Sequence, residues 1–326
     1  MGDMGGIGPS VDLTTEQCRV SPATAAAMQR GLDAIGQPGL AVLVTADFVT
    51  AVERLNPDSP EYNAERGSGV VAAKTLYLPD APALVVINGS AVLDRQDAEI
   101  ERLLAHEGGH ALLHEHGGST PLPPLYTSYS PGLSVLHATA AVAIEELRIE
   151  RRLAELGYPI AERAAPGEIE ERLFELSCEI FEALYDPRSA DVWTFAKAVL
   201  EALHRMTVTL SYLAGPIVAG TGQFSRSQLS NFGQQTWTEV MSRSWHDRLQ
   251  LYQQIPPAGT PYGHEQASAD RAEAVEVDRK LLRDLGFTIG GGTRPGDQWS
   301  FLRSGSDATL TARWQQLQAE ANRRGL

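Results

Sequence analysis

The pattern of hydrophobic and polar positions changes partway along the chain. Before about residue 90, short apolar and β-branched runs at 40–45, 70–78 and 83–88 predict strands. Helical periods at 21–36 and 47–55 lie between them. Every later segment has a helical period, and the expected helices are 133–156, 168–185, 189–214, 225–252, 265–285 and 307–323. The pattern predicts an α+β fold, with a small N-terminal sheet packed on a helix and a mainly helical C-terminal half.

The same pattern divides the chain into three regions. Residues 1–20 are glycine-rich and aperiodic, so we expect a disordered N-terminal segment. A metal-binding catalytic core is expected at 21–157 and a helical C-terminal region at 158–326. The helix on which the core depends is predicted to begin at Asp94, with Asp97 in the capping-box position, and to end at Gly117 and Gly118.

The chemistry is indicated by the sequence HEGGH at residues 106–110. On a helix His106 and His110 are one turn apart and share a stripe with Leu103 and Leu113, while Glu107 lies on the adjacent apolar stripe. Two buried imidazoles and a carboxylate cost several kcal/mol unless they are paired. A zinc ion with its water pairs all three, so the motif predicts His106 and His110 as metal ligands and Glu107 as general base.

Catalytic zinc needs a third protein ligand, and the predicted helix 133–156 supplies candidates. One of its stripes is apolar except at two positions and comprises Val135, Thr139, Val142, Glu146, Ile149, Leu153 and Leu156. A glutamate in such a stripe favours Glu146 as the ligand. Glu145, 100° away around the helix, is the rival, and Glu150 is expected either to orient a ligand imidazole or to form a surface ion pair with a neighbouring arginine.

These residues also carry a resemblance to a known family. The stretch LLAHEGGHALLH resembles the active-site helix of the gluzincin metallopeptidases, especially the ImmA/IrrE-like peptidases. The stretch AIEELRIE resembles the second gluzincin helix, with Glu146 and Glu150 on its E-x-x-x-D pattern and glutamate replacing the usual aspartate. The resemblance covers roughly residues 40–157. It implies a zinc metallopeptidase that cleaves a peptide or protein amide bond with metal-activated water.

Two further features of the sequence leave their roles open. Gly108 and Gly109 lie in mid-helix, where glycine costs about 1 kcal/mol against alanine, so each admits close approach of a substrate backbone or of a neighbouring helix. The chemistry also requires a group that stabilises the oxyanion, and the sequence does not rank the candidates. These candidates are Tyr126, Tyr129, His204, His246, Tyr262 and His264.

Two other functions fit part of the pattern. Two histidines and one carboxylate also suit iron(II), which makes a peptide hydroxylase dependent on 2-oxoglutarate the first alternative. That enzyme needs a basic residue for its cosubstrate, for which Arg148 and Arg151 are the candidates. The second alternative is a non-catalytic zincin-like binding protein, against which Glu107 argues, because a structural metal site has no use for a base.

Composition and charge narrow the choice of partners. A net charge of −14 and a pI near 5.0 disfavour nucleic acid. The two cysteines, Cys18 and Cys178, are too few for a disulfide framework and are expected to be free thiols in a cytoplasmic protein. No secretory signal or membrane-spanning run is recognisable. We therefore expect a peptide or protein substrate and no membrane partner, while the sequence predicts no oligomeric state.

Overall fold

The computed structural model describes residues 12–56, 65–66, 69–78, 81–116, 131–185, 192–289, 299–301 and 307–325. The fold is α+β, as the sequence predicts. The chain divides into two compact units: Met1–Ser119 with Leu156–Tyr158, and Thr120–Glu155 with Pro159–Leu326. This division differs from the predicted boundary at 157, because the helix that ends at Glu155 belongs to the second unit.

The first unit contains a four-stranded mixed sheet. Its elements are β1 (Leu13–Glu16), α1 (Pro22–Ile35), β2 (Ala41–Thr45), α2 (Phe48–Leu55), β3 (Glu65–Arg66), β4 (Gly69–Val70), β5 (Ala73–Leu76), β6 (Leu84–Asn88), α3 (Gly89–Val92) and α4 (Asp97–Glu115). The strand order is β1-β2-β6-β5, in which β5 is antiparallel to β6 and the other pairs are parallel. Strands β3 and β4 form a separate antiparallel pair.

The two faces of this sheet bury different sets of side chains. Because successive strand residues point to opposite faces, Val85 and Ile87 of β6 join one apolar cluster and Val86 between them joins another. The first cluster includes Leu32 of α1 and Leu104 of α4, and the second includes residues of α2. Helices therefore cover both faces.

Helices α1 and α4 approach closely, and glycine makes this possible. A Cβ on Gly108 would lie 2.7 Å from Cγ2 of Ile35 and 3.2 Å from a methyl carbon of Leu32. Of the two explanations for a glycine at position 108, close packing against a neighbouring helix therefore applies. The limits of α1 are as expected, with Ser21 as its N-cap and Gly36 as its left-handed C-cap.

The beginning of α4 corrects the sequence prediction. Asp94 is not the cap, because the short helix α3 and the turn after it occupy residues 89–95. The N-cap is Gln96, whose backbone nitrogen donates to Glu99 in a capping box at 3.0 Å. The helix ends at Glu115, and the predicted stop at 117–118 lies outside the described residues.

The second unit is mainly helical. Its elements are α5 (Pro131–Glu155), α6 (Pro166–Tyr185), α7 (Val192–Val218), α8 (Asn231–Thr236), a π-helical turn (Trp237–Met241), α9 (Ser242–Gln254), α10 (His264–Asp284), β7 (Phe287–Ile289), β8 (Trp299–Phe301) and α11 (Asp307–Arg324), with 3₁₀ turns at Glu162–Ala164 and Arg226–Gln228. Its core includes side chains of α5, α6, α7, α9 and α10.

Helices α5 and α7 pack side by side and run parallel. The contacts advance together along both chains, with Thr139 opposite His204 and Glu150 opposite Gly215. A Cβ on Gly215 would lie 2.6 Å from the Cβ of Glu150, so the two backbones approach closely at this point.

Four features of the fold differ from expectation. Strand β1 lies in the segment 1–20 that was expected to be disordered, of which residues 1–11 are outside the described part. The predicted helix 225–252 is divided, because the Ser230 side chain caps a new helix by accepting from the Gly233 nitrogen. Helix α7 continues past Pro216 to Val218. Strands β7 and β8 pair where no strand was expected.

Among the described residues, no helix combines the length and the apolar character that crossing a membrane requires.

Candidate metal centre

The HEGGH motif lies in the middle of α4, as predicted. His106 and Glu107 are each 7% exposed, and His110 is half-buried. The two imidazole rings stand edge to face, with centroids 5.1 Å apart. One turn of helix separates the histidines, so the geometry agrees with two ligands that approach one ion from the same side.

Glu107 is held by the neighbouring strand. The hydroxyl of Thr75 on β5 donates to Oε2 of Glu107 at 2.8 Å and lies 3.0 Å from the backbone oxygen of the same residue. Thr75 is itself buried, at 6% exposed. A buried hydrogen bond to a carboxylate restricts its rotation, so Oε2 has a fixed partner and Glu107 has a defined orientation.

The chain just after β5 also contacts the motif. The hydroxyl of Tyr77 donates to the backbone oxygen of His110 at 3.0 Å. Its ring stacks on that of His114, with centroids 4.1 Å apart and an interplanar angle of 19°. His114 is exposed in the last turn of α4, where packing against Tyr77 explains it.

Glu146 lies in the second unit, on the face of α5 that packs against α7. It is 2% exposed, whereas Glu145 is half-buried. The Tyr212 hydroxyl makes a side-chain hydrogen bond to the Glu146 carboxylate. Burial, followed by the charge of Glu146, raises the pKa of Tyr212 well above its usual value of 10.0. The hydroxyl therefore stays protonated and acts as the donor.

The stripe of α5 that drew attention to Glu146 has a structural basis. Both of its polar members meet polar side chains of α7, since Thr139 Oγ1 lies 3.1 Å from Nδ1 of His204 and Glu146 accepts from Tyr212. The expectation that a glutamate at this position needs a cation is incomplete, because the neutral hydroxyl of Tyr212 also hydrogen-bonds to the buried carboxylate.

The arginines of α5 are engaged with backbone carbonyls. Arg148, 1% exposed, donates to the oxygens of Pro256 and Thr260 at 3.0 and 2.9 Å. Arg151 donates to the oxygen of Ile255 at 2.5 Å. Both were candidates to bind the cosubstrate of an oxygenase, and these contacts leave that role without support. Glu150 is 1% exposed, so a surface ion pair does not describe it.

The structure brings the three candidate ligands into one group. One ligand atom from each of His106, His110 and Glu146 lies within 4.8 Å of the others. Ligand atoms about 2.0–2.2 Å from a tetrahedral zinc are about 3.3–3.6 Å apart, which is within this limit. Two imidazoles and one carboxylate form a donor set that suits zinc and also iron(II).

The structure does not favour any of the six candidates for oxyanion stabilisation. Tyr126 and Tyr129 lie outside the described residues. His246 and His264 are exposed, and Tyr262 is buried with its hydroxyl on Asp270 at 2.7 Å. His204 contacts Thr139, as described above. None of the four described residues is assigned a role at the motif.

Sequence reasoning missed Thr75 and Tyr212. Thr75 carried a weak signal, as a polar residue in the otherwise mainly apolar predicted strand 70–78. Tyr212 carried a weaker signal, as a single hydroxyl-bearing ring in the strongly apolar second half of α7. Their partners are distant in sequence, so neither contact is visible in a local pattern.

Comparison with known proteins finds no matching family model, no similar curated protein and no similar solved structure.

Proposed function

We propose that this chain is a zinc-dependent hydrolase that cleaves an amide bond of a peptide or protein. His106, His110 and Glu146 would hold the metal, and Glu107 would act as general base. The supporting observation is that His106, His110 and Glu146 each offer a ligand atom within 4.8 Å of the others. Glu107 follows His106 in the sequence and is not a member of this group. A carboxylate beside the ligands but outside the ligand set would be available to act as a base.

The chemistry divides between the metal and the protein. Zinc held by His106, His110 and Glu146 would supply Lewis acidity, which would make a water molecule easier to deprotonate near neutral pH. Glu107 accepts the proton from the water oxygen that attacks the carbonyl carbon, and it delivers that proton to the nitrogen as the C–N bond breaks. Thr75 keeps Oε2 of Glu107 in place, at 2.8 Å from its hydroxyl, while the proton moves. The products are a carboxylic acid and an amine.

The resemblance to gluzincin metallopeptidases in the HEGGH helix and in AIEELRIE supports this proposal. The engagement of Arg148 and Arg151 with backbone carbonyls gives the oxygenase alternative no comparable support. A non-catalytic binding protein would not require the buried Glu107 or its hydrogen bond from Thr75.

The test combines metal analysis with a search for products. Protein purified without a histidine tag is expected to contain stoichiometric zinc and to release new N-termini from a mixed peptide library, detected by mass spectrometry. Glu107→Gln is the matched control, expected to keep its zinc and to lose about 10²-fold or more in rate. His106→Ala and His110→Ala should each lose the metal.

The outcomes separate the alternatives. Iron in place of zinc favours the oxygenase. Zinc without any cleavage dependent on Glu107 contradicts the hydrolase and leaves a binding protein. Full metal content in either histidine variant contradicts the ligand assignment.

A further inference from the structure

The partner of Glu146 on α7 is not part of the motif that identifies the metal centre. The Tyr212 side chain is 7% exposed and hydrogen-bonds to the carboxylate through its hydroxyl. Glu146 is 2% exposed, so water does not compete freely for this bond. A buried hydrogen bond to a charged acceptor is stronger than a neutral one.

The tyrosine is itself held in place. The guanidinium carbon of Arg163, in the 3₁₀ turn after α5, lies 5.3 Å from the centroid of the Tyr212 ring, within the range of a cation–π contact. One turn later in α7, Gly215 allows close approach to Glu150 of α5. The hydroxyl is therefore fixed by a charge over its ring and by the close packing of two helices.

A carboxylate has two oxygens, and a donor on one of them limits what the other can do. With the Tyr212 hydroxyl on one oxygen, Glu146 would offer its second oxygen to a metal as a single ligand atom. Groups that hydrogen-bond to a metal ligand without touching the metal orient that ligand and change its affinity for the ion.

We propose that Tyr212, supported by Arg163, is a positioning residue that orients Glu146 for metal binding. This inference rests on the proposed function, because it requires that Glu146 is a ligand. It adds to the centre a residue that comes from α7, in the helical part of the chain beyond the resemblance at 40–157.

The test compares zinc affinity, measured by competition with a chromophoric chelator, in the wild type and two variants. Tyr212→Phe removes the hydroxyl alone and is expected to weaken zinc binding by about 10- to 100-fold. Tyr252→Phe is the matched control, since this buried tyrosine lies near Ser211 and Arg248 instead. Its zinc affinity is expected to equal that of the wild type.

A spectroscopic measurement separates positioning from stability. Cobalt(II) is exchanged for zinc, and the visible absorption of the ion is recorded, because its intensity falls as the coordination number rises. The Tyr212→Phe spectrum is expected to weaken, since Glu146 is then able to use both oxygens, whereas a change in stability alone leaves the spectrum as in the wild type. Thermal melts of the metal-free proteins are measured in parallel.

The outcomes are distinguishable from those of the proposed function. If the wild type binds no metal, the proposed function fails and this inference fails with it. If the wild type binds zinc and Tyr212→Phe binds it with equal affinity and an unchanged cobalt spectrum, only the role of Tyr212 is overturned. Should Tyr212→Phe be isolated unfolded, Arg163→Gln takes its place, and an unchanged zinc affinity there overturns the proposal.

Discussion

The two parts of the proposed metal centre are held in different ways. In the first unit, His106, Glu107 and His110 come from one turn of α4, and their spacing alone places them side by side. In the second unit, Glu146 accepts a hydrogen bond from Tyr212, which is far away in sequence. A helical motif therefore places two candidate ligands by local spacing, whereas the surroundings of the third candidate depend on how two helices distant in sequence pack.

The largest expected effect tests the ligand of the second unit. Glu146→Gln should weaken zinc affinity by at least about 100-fold, because it removes a charged ligand and not only its support. Glu145→Gln, a change one residue away, is the matched control and should leave affinity within experimental error. Thermal melts with and without chelator check this, since metal binding adds to stability.

Only one pattern of melting agrees with the assignment. The Glu146→Gln protein should melt at one temperature in both conditions, while the Glu145→Gln protein should still respond to the chelator. The reverse pattern shows that Glu145 is the ligand.

The second prediction concerns the packing that supports α4. Gly108→Ala should destabilise the protein by about 1–3 kcal/mol, because the added methyl group overpacks the contact with Ile35. Gly167→Ala in α6 is the control, since nothing lies within 4 Å of a Cβ there, and it should stabilise by up to about 1 kcal/mol. Chemical denaturation measures both. Equal effects of the two substitutions would mean that α1 does not restrict position 108.

A smaller effect is expected at the strand that holds the base. Thr75→Val keeps the shape of the side chain but removes the donor to Glu107, and should cost about 1–2 kcal/mol of stability. Thr75→Ser retains a hydroxyl and should recover part of the loss. In a Glu107→Gln background the cost of Thr75→Val should change, because the two residues interact. Additive effects in this double-mutant cycle would contradict the contact.

The last prediction concerns a cysteine of the second unit and involves neither the metal nor the stability of the fold. Burial, followed by the charges of Glu179 and Glu182, raises the pKa of Cys178 to about 11. The thiol stays neutral below that pH, so at pH 8 about one molecule in a thousand carries the reactive thiolate. In a Cys18→Ser protein, reaction with a thiol reagent at pH 8 should be about 100-fold slower than that of a small thiol. The rate should rise about tenfold per pH unit up to about pH 10. Reaction at the rate of a small thiol would contradict the burial of Cys178.

Local features of the fold were predictable from the sequence. Ser21, Pro22 and Gly36 limit α1 through interactions within a few residues, and the periodicity of 106–110 places the motif on a helix. The prediction of Asp94 as the N-cap of α4 was wrong because Asp94 lies in the turn that follows α3. The error came from competition between two plausible local structures.

Features that depend on distant partners were not predictable. Strand β1 pairs with β2 across the whole of α1, and β7 with β8 across residues outside the described ranges. None of the strands β1, β7 and β8 has enough alternation of apolar and polar residues to be recognised from the sequence alone. Glu146 was singled out correctly as a buried polar position, but its hydroxyl partner requires the register of α5 against α7, which no local pattern contains.

The parallel arrangement of α5 and α7 has a consequence for the order of synthesis. As the chain leaves the ribosome, the two histidines and Glu146 emerge well before Tyr212, and α6 must be made before α7 can pack. Contacts between segments so far apart in sequence form late, because the intervening loop must close first. Glu146 therefore gains its hydrogen-bond partner only after α7 has been made, when all candidate ligands have already been exposed to the cell's metal pool.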